Sequence, residues 1–355
     1  MAQRLGRFAP LILACVCLAG CWSMLPDGFL PDYARDTMVG MSLSDEEAEA
    51  LEERLEHDPH DLSARAQLLS YYEHAQWRDD ANVRRYGWHV VWLAHNDPRH
   101  TLLAFGQASI DPSRNPSAYA RVKAIWLQHL SEAPRDTGLL AAAAASFERG
   151  PDIDLALALL ERAQEIDPGN SLWPSRLGSL RWRIAQEDRE RPDPALAAAA
   201  LSDFERADEL NRHGLGSMHL NSAMEAAFAA GQFEKARTGA AEGLAGGGMP
   251  FSLEPKYRAN LMLGRIALAE DDPAAAADYL VAAGRVAAWP SLLPLLVWQP
   301  DMQLAEELLE QGEPQVVLEY LKLCALHWEG DQLREWADEI RAGGIPDLGQ
   351  QYVPF

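Results

Sequence analysis

Residues 137–170 read TGLLAAAAASFERGPDIDLALALLERAQEIDPGN, and the spacing of their apolar side chains decides the fold. Leu140, Ala143, Ala144 and Phe147 recur at helical intervals, and the pattern resumes with Ala156, Leu160 and Ala163. A 3.6-residue turn puts such positions on one face, so the stretch predicts two amphipathic helices. Pro168 then stops the second, because proline has no amide hydrogen for the helical ladder. Working outward, Pro59, Pro98 and Pro134 end earlier helical runs, and the four prolines stand 39, 36 and 34 residues apart. That period suits one helix pair plus a turn. Ser44 and Glu47 form a capping-box pattern, with Asp45 and Glu46 adding negative charge where a helix N-terminus favours it, so the first stable helix is expected there. Helical spacing continues nearly to Arg341, and Val, Ile and Thr never dominate an alternating run. The expected fold class is all-α.

The 137–170 unit resembles the tetratricopeptide repeat. Small residues where the two helices approach (Ala144, Ala156, Ala163), large ones between them and proline after the second helix match that family's pattern. Further units share the register. One near Leu62 carries Leu68, Leu69, Tyr72 and Ala81; one from Leu177 and Gly178 continues to Ala200, Phe204 and Ala207 after a turn lengthened over Gln186–Pro194. Another begins at Ser217 with Gly231, Phe233, Ala236 and Ala240, and the next at Tyr257 with Leu263, Gly264, Ala276, Leu280 and Ala283. A last unit, from Leu304 to Cys324, uses larger residues, and segment 99–116 keeps no clean first helix. The resemblance covers about residues 62–328 and implies a tetratricopeptide-like α-solenoid of stacked helical hairpins, because one hairpin cannot bury its apolar faces alone. The helix around Leu333, Trp336 and Ile340 is expected to cap the stack.

In that family, certain positions of the first helices line a concave groove. The resemblance assigns them here to Trp182, Arg183, Asn221, Glu225, Phe228, Arg258 and Arg265. Two readings of Arg258 and Arg265 stand side by side: guanidiniums that hold a peptide's carboxylates, or ordinary solvated helix residues. The family's lysine and asparagine clamp for peptide C-termini is not reproduced.

The N-terminus carries a separate signal. Arg4 and Arg7 precede an apolar run from Phe8 to Ala19 that is short for a bilayer span, the order of a secretory signal peptide. It closes on Leu18, Ala19, Gly20 and Cys21, which resembles the bacterial lipobox; the resemblance implies lipid on Cys21 as the mature N-terminus and firm anchoring by several acyl chains. Trp22 stands where an aspartate would favour inner-membrane retention, so an outer-membrane position facing the periplasm is expected in a Gram-negative cell. The chain thus divides into a signal peptide (1–20), a lipidated tether (21–43), helical repeats (44–288), and a degenerate C-terminal repeat with its capping helix (289–355).

The 355 residues hold 53 acids against 31 lysines and arginines, a net charge of −22, and loss of residues 1–20 takes the remainder to −24. Such a surface repels phosphate backbones, so nucleic acid is not an expected partner. With Cys15 and Cys17 removed and Cys21 lipidated, Cys324 stays as a thiol on an apolar helical run, expected to be buried. Gly246–Gly248 lack the Lys and Ser or Thr of a phosphate loop and read as a hinge; the apolar run from Trp289 to Pro300 reads as a cover over the preceding core or as a docking surface. The ten histidines are scattered without metal-ligand spacing, and no nucleophile motif appears. No catalytic residue, metal or cofactor is therefore expected. The leading expectation is a membrane-anchored bacterial lipoprotein that binds a protein or peptide in the cell envelope; the alternatives are a subunit of an assembly or secretion machine, an envelope enzyme on a helical scaffold, or a structural spacer.

Overall fold

The computed structural model describes residues 32–104, 108–188, 191–211, 219–246, 253–288, 300–326 and 331–348. Among them are seventeen helices and no strand. They run α1 (Asp32–Met41), α2 (Asp45–His57), α3 (Leu62–Ala75), α4 (Asp80–Asn96), α5 (Thr101–Ala104), α6 (Pro116–Glu132), α7 (Thr137–Phe147), α8 (Ile153–Ile166) and α9 (Leu172–Ala185). There follow α10 (Pro194–Leu210), α11 (Leu220–Ala229), α12 (Phe233–Ala245), α13 (Leu253–Ala269), α14 (Pro273–Ala287), α15 (Gln303–Glu310), α16 (Pro314–Cys324) and α17 (Asp331–Arg341). The chain divides into two compact units, one holding residues 23–180 and 209–211, the other 181–208 and 212–355. Within each, helices pack mainly on their next and next-but-one neighbours along the chain, the packing of an all-α solenoid.

In the first unit the proline spacing sets the helix ends. α2, α4, α6 and α8 each stop two residues before Pro59, Pro98, Pro134 or Pro168. The intervening Asp58, Asp97, Ala133 and Asp167 all have φ between −139° and −129° and ψ between 67° and 86°, as the steric clash with a following proline ring demands. Each still closes the last helical turn with its amide hydrogen. Asp61 and Asp136 then accept bonds from Ala64 N (2.9 Å) and Leu139 N (3.0 Å), so stop and restart occupy four residues. Between α7 and α8, Leu140, Ala143, Ala144, Phe147, Ala156, Leu160 and Ala163 are all fully buried, in keeping with the hairpin read from the sequence.

Two expectations need correction. Residues 32–41, assigned to the tether, form α1 and pack on α3, ahead of the helix expected to come first. They lack an apolar stripe because docking uses other means: Asp36 Oδ1 accepts from Ser63 Oγ (2.7 Å) and Gln67 Nε2 (3.0 Å), and buried Gly40 brings backbone against backbone. The capping box forms at Ser44 as the sequence places it, although it opens the second helix and not the first, and Glu47 Oε2 accepts from Ser44 N at 2.8 Å. Ala81, read as a small contact residue, is exposed in the first turn of α4; Val83, Tyr86 and Val90 bury that face instead. Among its described residues, the degenerate segment 99–116 holds the four-residue α5 and the first residue of α6 as its only helical structure.

In the second unit, α11–α12 and α13–α14 form successive hairpins, with Ala236, Ala240, Ala276, Leu280 and Ala283 fully buried. The larger residues of the last repeat, Leu304, Leu308, Val317 and Leu321, are equally buried, and Leu333, Trp336 and Ile340 of α17 join the same core. Cys324 lies there with a free thiol that burial pushes up to about 12, a packing residue and not a nucleophile. The segment expected to be a signal peptide, Cys21 with the residues that resemble a lipobox, Ser217, the glycines expected to form a hinge after Gly246 and the apolar run beginning at Trp289 fall outside the described residues. No helix among the described residues is long and apolar enough to cross a membrane.

Candidate functional site

Helical spacing already collects the side chains of this site. Arg258 and Arg265 are two turns apart on α13, and Glu225 and Phe228 one turn apart on α11, so each pair shares a face. In the second unit these faces and Trp182 of α9 border one cavity of about 380 Å³. Leu261, Met262 and Leu304 supply apolar walls, and Asp301 and Gln303 close it at the start of α15. Five of the seven groove residues read from the sequence thus come together; Arg183 and Asn221 do not line the cavity. Asn221 keeps its Oδ1 buried without a hydrogen-bond partner on α11.

The electrostatics were not legible in the sequence. Arg265 lies over the Phe228 ring, 4.4 Å from its centre, and its Nε meets Glu307 Oε1 at 3.1 Å. Arg258 bonds Glu254 Oε1 at 3.1 Å and approaches Glu225 Oε1 at 3.7 Å. Both guanidiniums are partly exposed and already paired with carboxylates of the protein itself. Burial pushes the Glu225 carboxyl up, Arg258 and a hydrogen bond from Trp182 offset part of the rise, and the charge of Asp301 adds to it. Glu307 is raised by burial too, with Arg265 opposing and Asp301 and Glu310 reinforcing. For Arg258, burial is outweighed by Glu254 and Glu225, so its guanidinium is held above its ordinary value. Four carboxylates surround two guanidiniums.

Asp301 is a residue the sequence reading missed, since nothing next to it in the chain marks it out. Its backbone is fixed by a ring of three hydrogen bonds. Asp301 N–H donates to Tyr257 Oη (2.7 Å), Tyr320 Oη donates to the Asp301 carbonyl (2.8 Å), and the two hydroxyls lie 2.6 Å apart. Tyr257 Oη also lies 3.4 Å from the same carbonyl, and either hydroxyl can donate to the other. Burial raises both phenols, keeping them neutral. The Asp301 carboxylate meanwhile accepts from Gln303 N at 2.9 Å at the start of α15. Tyr320→Phe would remove the shorter hydrogen bond to that carbonyl and the contact to the Tyr257 hydroxyl; the expected loss is about 1–3 kcal/mol of stability, measured by denaturant unfolding.

No group of three or more potential metal ligands gathers among the described residues. No protein-family model matches the chain, and no curated protein sequence matches it significantly, so the reading of this cavity rests on its own residues.

Proposed function

We propose that this protein is a bacterial lipoprotein, fastened to a membrane through Cys21, whose tetratricopeptide-like hairpins hold a segment of another envelope protein. One observation carries the binding half of the reading: Trp182, Glu225, Phe228, Arg258 and Arg265, on alternate helices α9, α11 and α13, border a single cavity with apolar walls and convergent polar groups. The anchoring half rests on the order of Arg4 and Arg7, the apolar run and Leu18–Cys21. Catalysis is not part of the reading. With Trp22 following the lipidated residue, the outer membrane is the favoured address in a Gram-negative cell, with the helical units in the periplasm.

Two experiments test the halves separately. Cys21→Ser should abolish labelling by a fatty-acid analogue and move the protein from the membrane to the soluble fraction; labelling that persists would show that Cys21 is not the acceptor. Crosslinking in intact cells, followed by recovery from detergent-solubilised membranes, should return a fixed envelope partner, and an Arg265→Glu chain should change that recovery. An empty recovery sinks the scaffold reading. Recovery of several stoichiometric partners would identify the chain as a subunit of an assembly or secretion machine.

A further inference from the structure

We infer that the cavity bordered by Trp182, Glu225 and Asp301 receives a basic side chain of the partner, a lysine or arginine set in an apolar stretch of peptide; the inference rests on reading this cavity as the partner site. The first argument is charge. Arg258 and Arg265 are both satisfied by Glu225, Glu254 and Glu307, whereas Asp301 makes no ion pair among the described residues and takes only the Gln303 amide on its carboxylate. A ligand carboxylate would sit beside Asp301 and Glu225 and add to the negative charge there. Asp301 acts on Arg258 through its charge but closes no ion pair with it, so a ligand cation can pair with that carboxylate directly.

The second argument is shape and surface. A lysine or arginine stem is apolar and its head polar, and this cavity offers Leu261, Met262 and Leu304 beside Asp301 and Glu225. Trp182 and Phe228 add aromatic surface, and the Phe228 ring already carries a guanidinium from Arg265, the contact a basic ligand would repeat on Trp182. The third is rigidity. The Tyr257–Tyr320 hydrogen-bond ring fixes the Asp301 backbone before any ligand arrives, so little ordering is left for binding. Over longer range, the net charge of −22 attracts a basic partner and repels an acidic one.

The test uses three acetylated, amidated peptides that differ only at their centre, Leu-Lys-Leu, Leu-Gln-Leu and Leu-Glu-Leu, titrated into the full chain in detergent with fluorescence anisotropy as readout. The lysine peptide should bind about fivefold to tenfold tighter than the glutamine peptide, as a charge-assisted contact would give, and the glutamate peptide should bind weakest. Asp301→Asn and Glu225→Gln should each erase most of that preference, and Asp301→Glu should retain it. The indole N–H resonance of Trp182, identified by its loss in Trp182→Phe, should move with the lysine peptide. Equal or tighter binding of the glutamate peptide, indifference to both neutralising variants, or no binding by any peptide overturns the inference. A chain that recovers an envelope partner but prefers the acidic peptide loses only the charge assignment; one that recovers nothing loses the scaffold reading as well.

Discussion

Arg65→Ala is expected to destabilise the first unit by about 3–5 kcal/mol in denaturant unfolding, the range for breaking a buried charged network by removing one partner. Arg65 on α3 is wholly inaccessible to solvent. Its guanidinium lies 3.6 Å from the centre of the Trp92 ring and 5.1 Å from that of Trp88, both on α4. Nη2 donates to the Pro59 carbonyl at 2.8 Å, tying the turn between α2 and α3 to the core. Nη1 lies 3.1 Å from His89 Nδ1, and since a guanidinium can only donate, that nitrogen must be the unprotonated one. His89 Nε2–H is then the donor to Glu52 Oε1 at 3.1 Å, which also accepts from Tyr72 Oη at 2.8 Å. Alanine would leave a cavity between two tryptophans and unpartner the Pro59 carbonyl and the imidazole together. Arg65→Lys keeps the charge but loses the planar stack, so it should recover only part of the stability. An unfolding midpoint unchanged by Arg65→Ala would overturn this account.

The same network gives the first unit a pH dependence of definite sign. Burial holds the His89 imidazole below its ordinary value against the opposing pull of Glu52, and Arg65 and Arg85 push the same way as burial. Burial also lowers Arg65, to about 10, far above any pH of interest, so it stays charged. Glu52 is raised by burial, but the hydrogen bond from His89 and the charges around it win and hold it below its ordinary value. A histidine whose folded pKa is depressed contributes stability that is full above its unfolded value and is lost as pH falls through the folded one. Stability should therefore fall as pH drops below about 6.5, the ordinary histidine value. His89→Gln, which cannot charge, should flatten that slope; a slope unchanged in that variant would show that another group titrates.

Gly40→Ala is expected to release α1 from α3. A Cβ at Gly40 would stand 2.2 Å from the Gln67 carbonyl oxygen and 2.7 Å from Ser70 Cβ. The carbonyl belongs to the backbone of α3 and cannot rotate away, so α1 itself must move, giving up the Asp36 bonds to Ser63 and Gln67. Hydrogen exchange should show the amides of residues 32–41 losing protection while α3 and α4 keep theirs, with a cost of about 1–3 kcal/mol typical of overpacking. Protection retained across α1 would mean that the contact yields more easily than its geometry implies.

How far the sequence led can be judged from these residues. Pre-proline stops at Asp58, Asp97, Ala133 and Asp167 and the buried alanines of α7 and α8 are local or periodic features, and they were readable as such. The shared face of Arg258 and Arg265 was readable too, because it follows from two helical turns. Their electrostatic state was not: Arg265 meets Glu307, forty-two residues on, and Arg258 approaches Glu225 on another helix. Asp301 owes its place to Tyr257 and Tyr320, which lie on two different helices. α1 escaped notice because a glycine contact and two polar bonds leave no apolar rhythm.

By itself, then, the sequence determined that this protein is a run of helical hairpins, where α2, α4, α6 and α8 stop, and which faces turn inward, because those properties depend on steric and periodic rules acting over a few residues. Only the tertiary structure decided which charges are already paired and which carboxylate closes no ion pair among the described residues. Ion pairing and burial depend on distances between residues tens of positions apart, and those distances are fixed only when helices pack.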